Sequence, residues 1–178
     1  MYKFDEKKII QDLAKEFNFD ICKITDINLP INTDVRLKEF IDLDNKVERD
    51  FGKKVGDIFH EFGEEKFRHL ESVALEELCK CPNIIVATGG GILQRKQNVS
   101  LLMHKKVYFL DADPEKLYQR AGKRKFNRPK MQDLSLKGFV ELYNERRNLY
   151  SSVANVTINT DELRPIQIAK KIKQHESD

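Results

Sequence analysis

The chain has 178 residues, 40% hydrophobic and 34% charged, with a formal net charge of +3. That length suits one domain around one sizeable core, and so mild a charge does not by itself argue a nucleic-acid partner. Cys22, Cys79 and Cys81 make neither a disulfide framework nor a paired zinc motif, and no apolar leader or run of about 18 apolar residues marks export or a membrane span. The expectation is a cytoplasmic monomer with reduced thiols and no membrane partner.

Residues 5–18 place Ile9, Ile10, Leu13, Ala14 and Phe17 at helical spacing, so they read as an amphipathic helix. A short strand over 20–26 and a Pro/Asn/Asp loop over 28–34 come next, then a short helix over 34–42. Val47 to Phe62 is helical with a break near Gly52, and 63–80 forms a long helix with Phe67, Leu70, Val73, Ala74 and Leu78 on one face. An apolar strand at 83–88 runs into Gly89-Gly90-Gly91. Another strand spans Lys106 to Leu110, and Asp113-Pro114 opens a helix through Arg120. A basic, proline-containing loop at 122–133 leads to a helix over 134–150 and a strand over 155–159. Thr160 or Asp161 caps a closing helix whose apolar positions include Ile166, Ile168 and Ile172. Strands alternating with helices predict an α/β fold with a mainly parallel, doubly wound sheet flanked by helices.

Four groups of residues carry candidate chemistry. Three consecutive glycines after a buried-strand pattern let backbone N–H groups approach an oxygen-rich ligand at the carboxyl end of the sheet. Asp42 and Asp44 can share a metal or hold a hydroxyl-bearing substrate, or cap and solvate a loop. Arg68 and Glu71 are three apart on a helix, which suits a surface pair, or a bidentate fork aimed at a carboxylate with Glu71 fixing it. Lys116, Arg120, Lys123, Arg124, Lys125, Arg128 and Lys130 run without an acidic residue between Glu115 and Asp133. Such a run suits a solvated loop, a nucleic-acid patch, or a lid bringing Arg to a phosphoryl group, with Arg146 approaching from a helix. His60, His69, His104 and His175 have no metal-ligand spacing, and no serine lies in a nucleophile elbow.

In this order the pieces resemble shikimate kinase from about residue 40 to the end. The matching residues are Asp42-x-Asp44, Gly63-Glu64-x-x-Phe67-Arg68-x-x-Glu71, Ala87-Thr88-Gly89-Gly90-Gly91, Arg128-Pro129, Arg146-x-x-Leu149-Tyr150 with Ala154, and Thr160-Asp161. The resemblance implies a P-loop-kinase-like fold and phosphorylation of the shikimate 3-hydroxyl by ATP with Mg²⁺. It implies that Asp44 holds and orients substrate hydroxyls and that Asp42 acts through water on Mg²⁺. Arg68 and Arg146 would bind the shikimate carboxylate, and Gly89 to Gly91 would offer backbone N–H groups to the substrate. Arg128 would stabilise the transferring phosphoryl group, and Arg120 would lie near the adenine. Phosphoryl transfer needs this kind of positioning and cationic stabilisation rather than covalent chemistry.

The family opens with a Gly-x-x-x-x-Gly-Lys-[Ser/Thr] loop ahead of its Asp-x-Asp, whereas residues 1–41 here hold no glycine and no Lys-Ser or Lys-Thr pair. The chain therefore divides into an atypical N-terminal segment, 1–41, replacing the P-loop unit, and a shikimate-kinase-like domain, 42–178. The first segment, through Ile9-Ile10-x-x-Leu13-Ala14-x-x-Phe17-x-Phe19-Asp20 and Arg36-Leu37-x-x-Phe40, looks like the opening of epoxyqueuosine reductase, whose cluster-binding cysteines are missing here. An ordinary amphipathic helix and strand account for it equally. Three functions stay open: a shikimate-phosphorylating enzyme, a catalytically inactive shikimate-binding or regulatory pseudo-kinase, and a nucleic-acid binder using 116–130.

Overall fold

The computed structural model describes residues 39–122 and 135–177. The helix expected at 5–18, the strand at 20–26, the loop at 28–34 and nearly all of the basic loop lie outside the described residues. The described chain runs β1 (Glu39–Asp42), α1 (Leu43–Phe51), α2 (Val55–Cys79), β2 (Ile84–Ala87), a 3₁₀ turn (Ile92–Gln94) and α3 (Lys96–Leu102). It continues through β3 (Tyr108–Asp111), α4 (Pro114–Gly122), α5 (Leu136–Val153), β4 (Val156–Asn159) and α6 (Pro165–Ser177).

Over the described residues 39–42, β1 corrects the helix expected for 34–42. Phe40 is buried in the apolar cluster that packs on α6, and Ile41 in the cluster against α1 and α2, so alternate side chains enter cores on opposite faces. Only an extended backbone does this, and pairing with Ile84 to Ala87 overrides the local helical preference. β2 repeats the alternation: Ile84 and Val86 pack on the first cluster, Ile85 and Ala87 on the second.

β1 pairs with β2 in parallel, Glu39 opposite Ile84 and Asp42 opposite Ala87. β3 pairs with β4 in parallel, Tyr108 opposite Val156 and Asp111 opposite Asn159. Among the described residues these are two hydrogen-bonded pairs, not one continuous sheet. Their side chains share both cores. Phe40, Ile85, Tyr108, Leu110 and Ile158 meet Ile168, Ala169 and Ile172 of α6, while Ile41, Val86 and Val107 meet Leu43, Ile58, Leu75 and Val153 on the other face. Helices cover both faces, as the parallel α/β expectation requires.

Helix boundaries track glycines and caps. α1 starts on the Asp42 carboxylate, which accepts the Asn45 N–H at 2.9 Å, and stops at Gly52, left-handed at φ 74°. α2 is one helix with a non-helical residue inside it, Gly63 at φ 78°, ψ 170°, so the long helix expected from 63 is joined to the segment before it. Its buried face also differs from the expected one: Val73 is 43% exposed, while Glu71 and Ser72 are buried. The closing helix starts at Pro165 rather than on a Thr160 or Asp161 cap. Thr160 instead donates its hydroxyl to the Asp111 carbonyl at 3.0 Å, and Asp161 accepts the Asp113 N–H, so both tie the end of β4 to the end of β3. No helix among the described residues is long and apolar enough to cross a membrane.

A Cβ at Gly63 would meet nothing within 4 Å, so the backbone alone demands glycine there. Gly63→Ala should lower unfolding stability by about 1–3 kcal/mol in urea titrations. Gly56→Ala, in open space within the same helix and without a left-handed φ, should be neutral or stabilising by up to ~1 kcal/mol. Equal effects at both positions would contradict this reading of the kink.

Candidate functional site

The parallel register brings the carboxyl ends of β1 and β2 to the same edge, Asp42 beside Ala87. The first turn of α1, with Asp44, therefore meets the glycine turn at that edge. An ideal Cβ on Gly89 would stand 3.4 Å from Glu71 Oε1 and 3.5 Å from Asp44 Oδ1. The bare backbone thus lets two carboxylates from different helices close over it. None of Gly89, Gly90 and Gly91 has a left-handed φ, so these positions need the missing side chain and not unusual torsions. Their carbonyls are engaged by the Ile92 N–H (3.2 Å), Arg146 Nη1 (2.9 Å) and the Gln94 N–H (3.0 Å). No partner for their own N–H groups is present among the described residues.

Arg68 lies about one and a half turns past the Gly63 kink, and its guanidinium packs flat on Gly91. An ideal Cβ there would fall 2.4 Å from the guanidinium carbon. Arg68 Nη1 donates to Glu71 Oε2 at 2.7 Å and Nε to Glu64 Oε1 at 3.3 Å, while the Phe67 and Phe59 rings flank the group at 5.1 and 5.9 Å. The Arg68 and Glu71 side chains are 12% and 1% exposed, which rules out the surface-pair reading. Burial pushes the Glu71 carboxyl above its ordinary range, with the Arg68 charge opposing.

Arg146 comes from α5. Its Nη1 holds the Gly90 carbonyl, and its Nη2 is buried with no hydrogen-bond partner. Burial lowers its pKa, with the nearby Arg68 charge among the causes. One turn on, the Tyr150 ring stacks on Phe109 at 5.1 Å, and burial raises its hydroxyl to about 12, so it stays a neutral donor. Two guanidiniums, one neutralised by a buried glutamate and one with a fork nitrogen unused, suit a planar anion such as a carboxylate.

The structure thus gathers Asp44, Arg68, Gly89, Gly90, Gly91 and Arg146. Asp42 stands at the edge of the group, where its carboxylate caps α1. Arg120 is in α4, with its side chain outside the described residues, and Arg128 is outside them altogether. All four histidines are exposed. Sequence reasoning missed Asp111, Tyr143 and Arg147, a polar cluster in which buried Asp111 is held by half-buried Tyr143 and exposed Arg147. The signal was present, since 143, 146, 147 and 150 share one helical face.

Glu71 supplies a pH test. Its folded pKa lies above the ordinary 4.5, so just above that pH the folded state binds more protons than the unfolded one. Stability should therefore fall as pH rises through this window. In Glu71→Gln that segment of the curve should vanish. Urea unfolding from about pH 4 to 8 measures it, and identical profiles would refute the buried, raised carboxyl.

Comparison with known proteins covers the same stretch of the chain. The shikimate kinase family profile matches residues 35–176. The shikimate kinase of Trichormus variabilis is 39% identical over 137 residues, 76% of this chain and 75% of that protein. That of Streptococcus suis is 37% identical over 150 residues, 82% and 86% of the two chains. Among solved structures, the shikimate kinase of Acinetobacter baumannii in complex with shikimate superposes with a TM-score of 0.77 at 28% identity, over 96% of this chain and 86% of that one. The fold is accordingly α/β of the P-loop-kinase type, and with most of its length matched by profile, sequence and structure, the chain belongs to the shikimate kinase family.

Proposed function

We propose that this chain binds shikimate where α2, the glycine turn and α5 meet, and that this acceptor half is the function its residues carry. The supporting observation is the Arg68–Glu71–Arg146 group closed over Gly89 to Gly91, with Arg146 Nη2 buried and unused. On this reading Arg68 and Arg146 take the shikimate carboxylate through charge-assisted hydrogen bonds, and Glu71 keeps the Arg68 fork oriented. Asp44 accepts from the ring hydroxyls, and the glycine N–H groups face the substrate. The solved relative from Acinetobacter baumannii holds shikimate, which supports the choice of ligand.

Membership of the family implies use of ATP and Mg²⁺. The residues of this chain do not fit the nucleotide phosphates. The left-handed glycines, Gly52 and Gly63, are followed by Lys-Lys and Glu-Glu rather than Lys-Ser or Lys-Thr, and residues 1–41 hold no glycine. For Mg²⁺, Asp42 already commits one carboxylate oxygen to the α1 cap. The roles of Arg120 and Arg128 depend on nucleotide being held by other means. The regulatory or shikimate-binding pseudo-kinase reading is therefore preferred, in the cytoplasm and as a monomer. Complete phosphotransfer is the second reading, favoured by the family alone. Nucleic-acid binding through 116–130 is weakened, because Lys116 at its start is paired with Glu162 at 2.9 Å.

Titration calorimetry separates these. The folded wild type should bind shikimate, and Arg68→Ala or Arg146→Ala should each weaken it by roughly 30- to 150-fold, as expected for about 2–3 kcal/mol of charge-assisted hydrogen bonding. ATP with Mg²⁺ should give no heat, and a coupled assay no turnover. Absence of shikimate binding overturns the proposal; turnover establishes the second reading.

A further inference from the structure

α5 presents Tyr143, Arg146, Arg147 and Tyr150 on one face, at i, i+3, i+4 and i+7. The four side chains go to different halves of the molecule. Arg146 reaches the Gly90 carbonyl, beyond the β1–β2 pair. Arg147 donates from both Nε and Nη2 to Asp111 Oδ2, at 3.1 and 2.9 Å, at the end of β3. The Tyr143 hydroxyl donates to Asp111 Oδ1, with the Ala112 carbonyl a second acceptor at 2.9 Å. Tyr150 stacks on Phe109, within β3.

We infer that Asp111, gripped by Tyr143 and Arg147, is the positioning residue of the site: it locks the rotation and height of α5 so that Arg146 meets the glycine turn. The arrangement argues this in three ways. α5 touches both strand pairs, through Arg146 on the glycine turn after β2 and through Arg147 and Tyr150 on Asp111 and Phe109 of β3, so it links them. Asp111 is 6% exposed and commits both carboxylate oxygens to this one helix, which is more than holding β3 in place demands. Arg146 and Arg147 are consecutive, so a twist of α5 that lengthens the Arg147–Asp111 bonds carries Arg146 with it. Arg147 grips Asp111 with two N–H groups on one oxygen, a geometry a lysine ammonium reproduces poorly.

The choice of Arg146 as the group being positioned rests on the shikimate-binding reading, and the test keeps the two apart. Arginine side-chain ¹⁵N–¹H NMR reads the Arg146 Nε–H directly, its signal assigned by its disappearance in Arg146→Lys. In the wild type this signal should be dispersed and slow to exchange with water. In Asp111→Asn it should move towards the free-arginine position and exchange faster, with Tyr143→Phe intermediate. Shikimate affinity should fall roughly tenfold in parallel. If Asp111→Asn does not fold, Arg147→Lys carries the test, since the Arg147 side chain is 55% exposed and its replacement leaves the core intact. An Arg146 signal unchanged in a folded variant overturns the inference, whether or not shikimate binds. A displaced signal in a protein whose wild type does not bind shikimate sustains it and sinks the ligand assignment.

Discussion

Arg68 can lie where it does only because Gly91 carries no side chain, since a Cβ there would stand 2.4 Å from the guanidinium carbon. Much else depends on that contact. The guanidinium packs against Gly91 with Phe59 and Phe67 beside it and pairs with Glu71, which is fully buried. Burying that carboxylate needs the helix to present 68 and 71 together on its inward face. The consequence is Val73 turned to solvent, where the apolar spacing would have put it inside. Gly89 completes the arrangement by letting Glu71 and Asp44 approach the turn from α2 and α1.

The second constraint is that the site is shared between halves. β1 and β2 lead into the first turn of α1, with Asp44, and into the glycine turn, whereas Arg146 arrives on α5, which packs against β3 through Phe109 and Asp111. Apolar packing joins the halves through Phe40, Tyr108 and Leu110 on one face and Val107 and Val153 on the other. Such packing fixes spacing well and rotation poorly, being non-directional. Directional groups must set the rotation of α5, and the polar face of that helix carries them.

Much of this is legible in the sequence, and the exceptions share a cause. The long helix, the glycine turn and the strands at 84–87, 108–111 and 156–159 can be read from period and composition, because one face or a continuous apolar run identifies them. Phe40-Ile41 misleads because a two-residue apolar pair suits either period, and only pairing with β2 makes it extended. Lys96–Leu102 escapes notice because its buried anchor is polar: Asn98 donates to the Ile92 carbonyl at 2.8 Å. Thr160 and Asp161 look like caps because their residue types serve caps and strand-end links alike. Arg68 and Arg146 stand out as members of a motif, while Asp111 is hidden in an apolar strand whose last residue reads as a turn.

The electrostatics of the site also separate a binding role from a merely structural one. A buried ion pair seldom improves stability over an apolar pair of the same volume, and a buried unpartnered donor costs about 1–3 kcal/mol. Arg68–Glu71 is such a pair and Arg146 Nη2 such a donor, set side by side under a turn that has given up its side chains. A fold needing only to close the ends of β1 and β2 would do better with leucine and alanine in these places. The arrangement makes physical sense once an anion is allowed in: it would satisfy the unused nitrogen, and the helix already holds the second guanidinium in place. The Arg68–Glu71–Arg146 group is therefore an arrangement the fold maintains against its own stability, which is what a site for an anion requires and a structural closure does not.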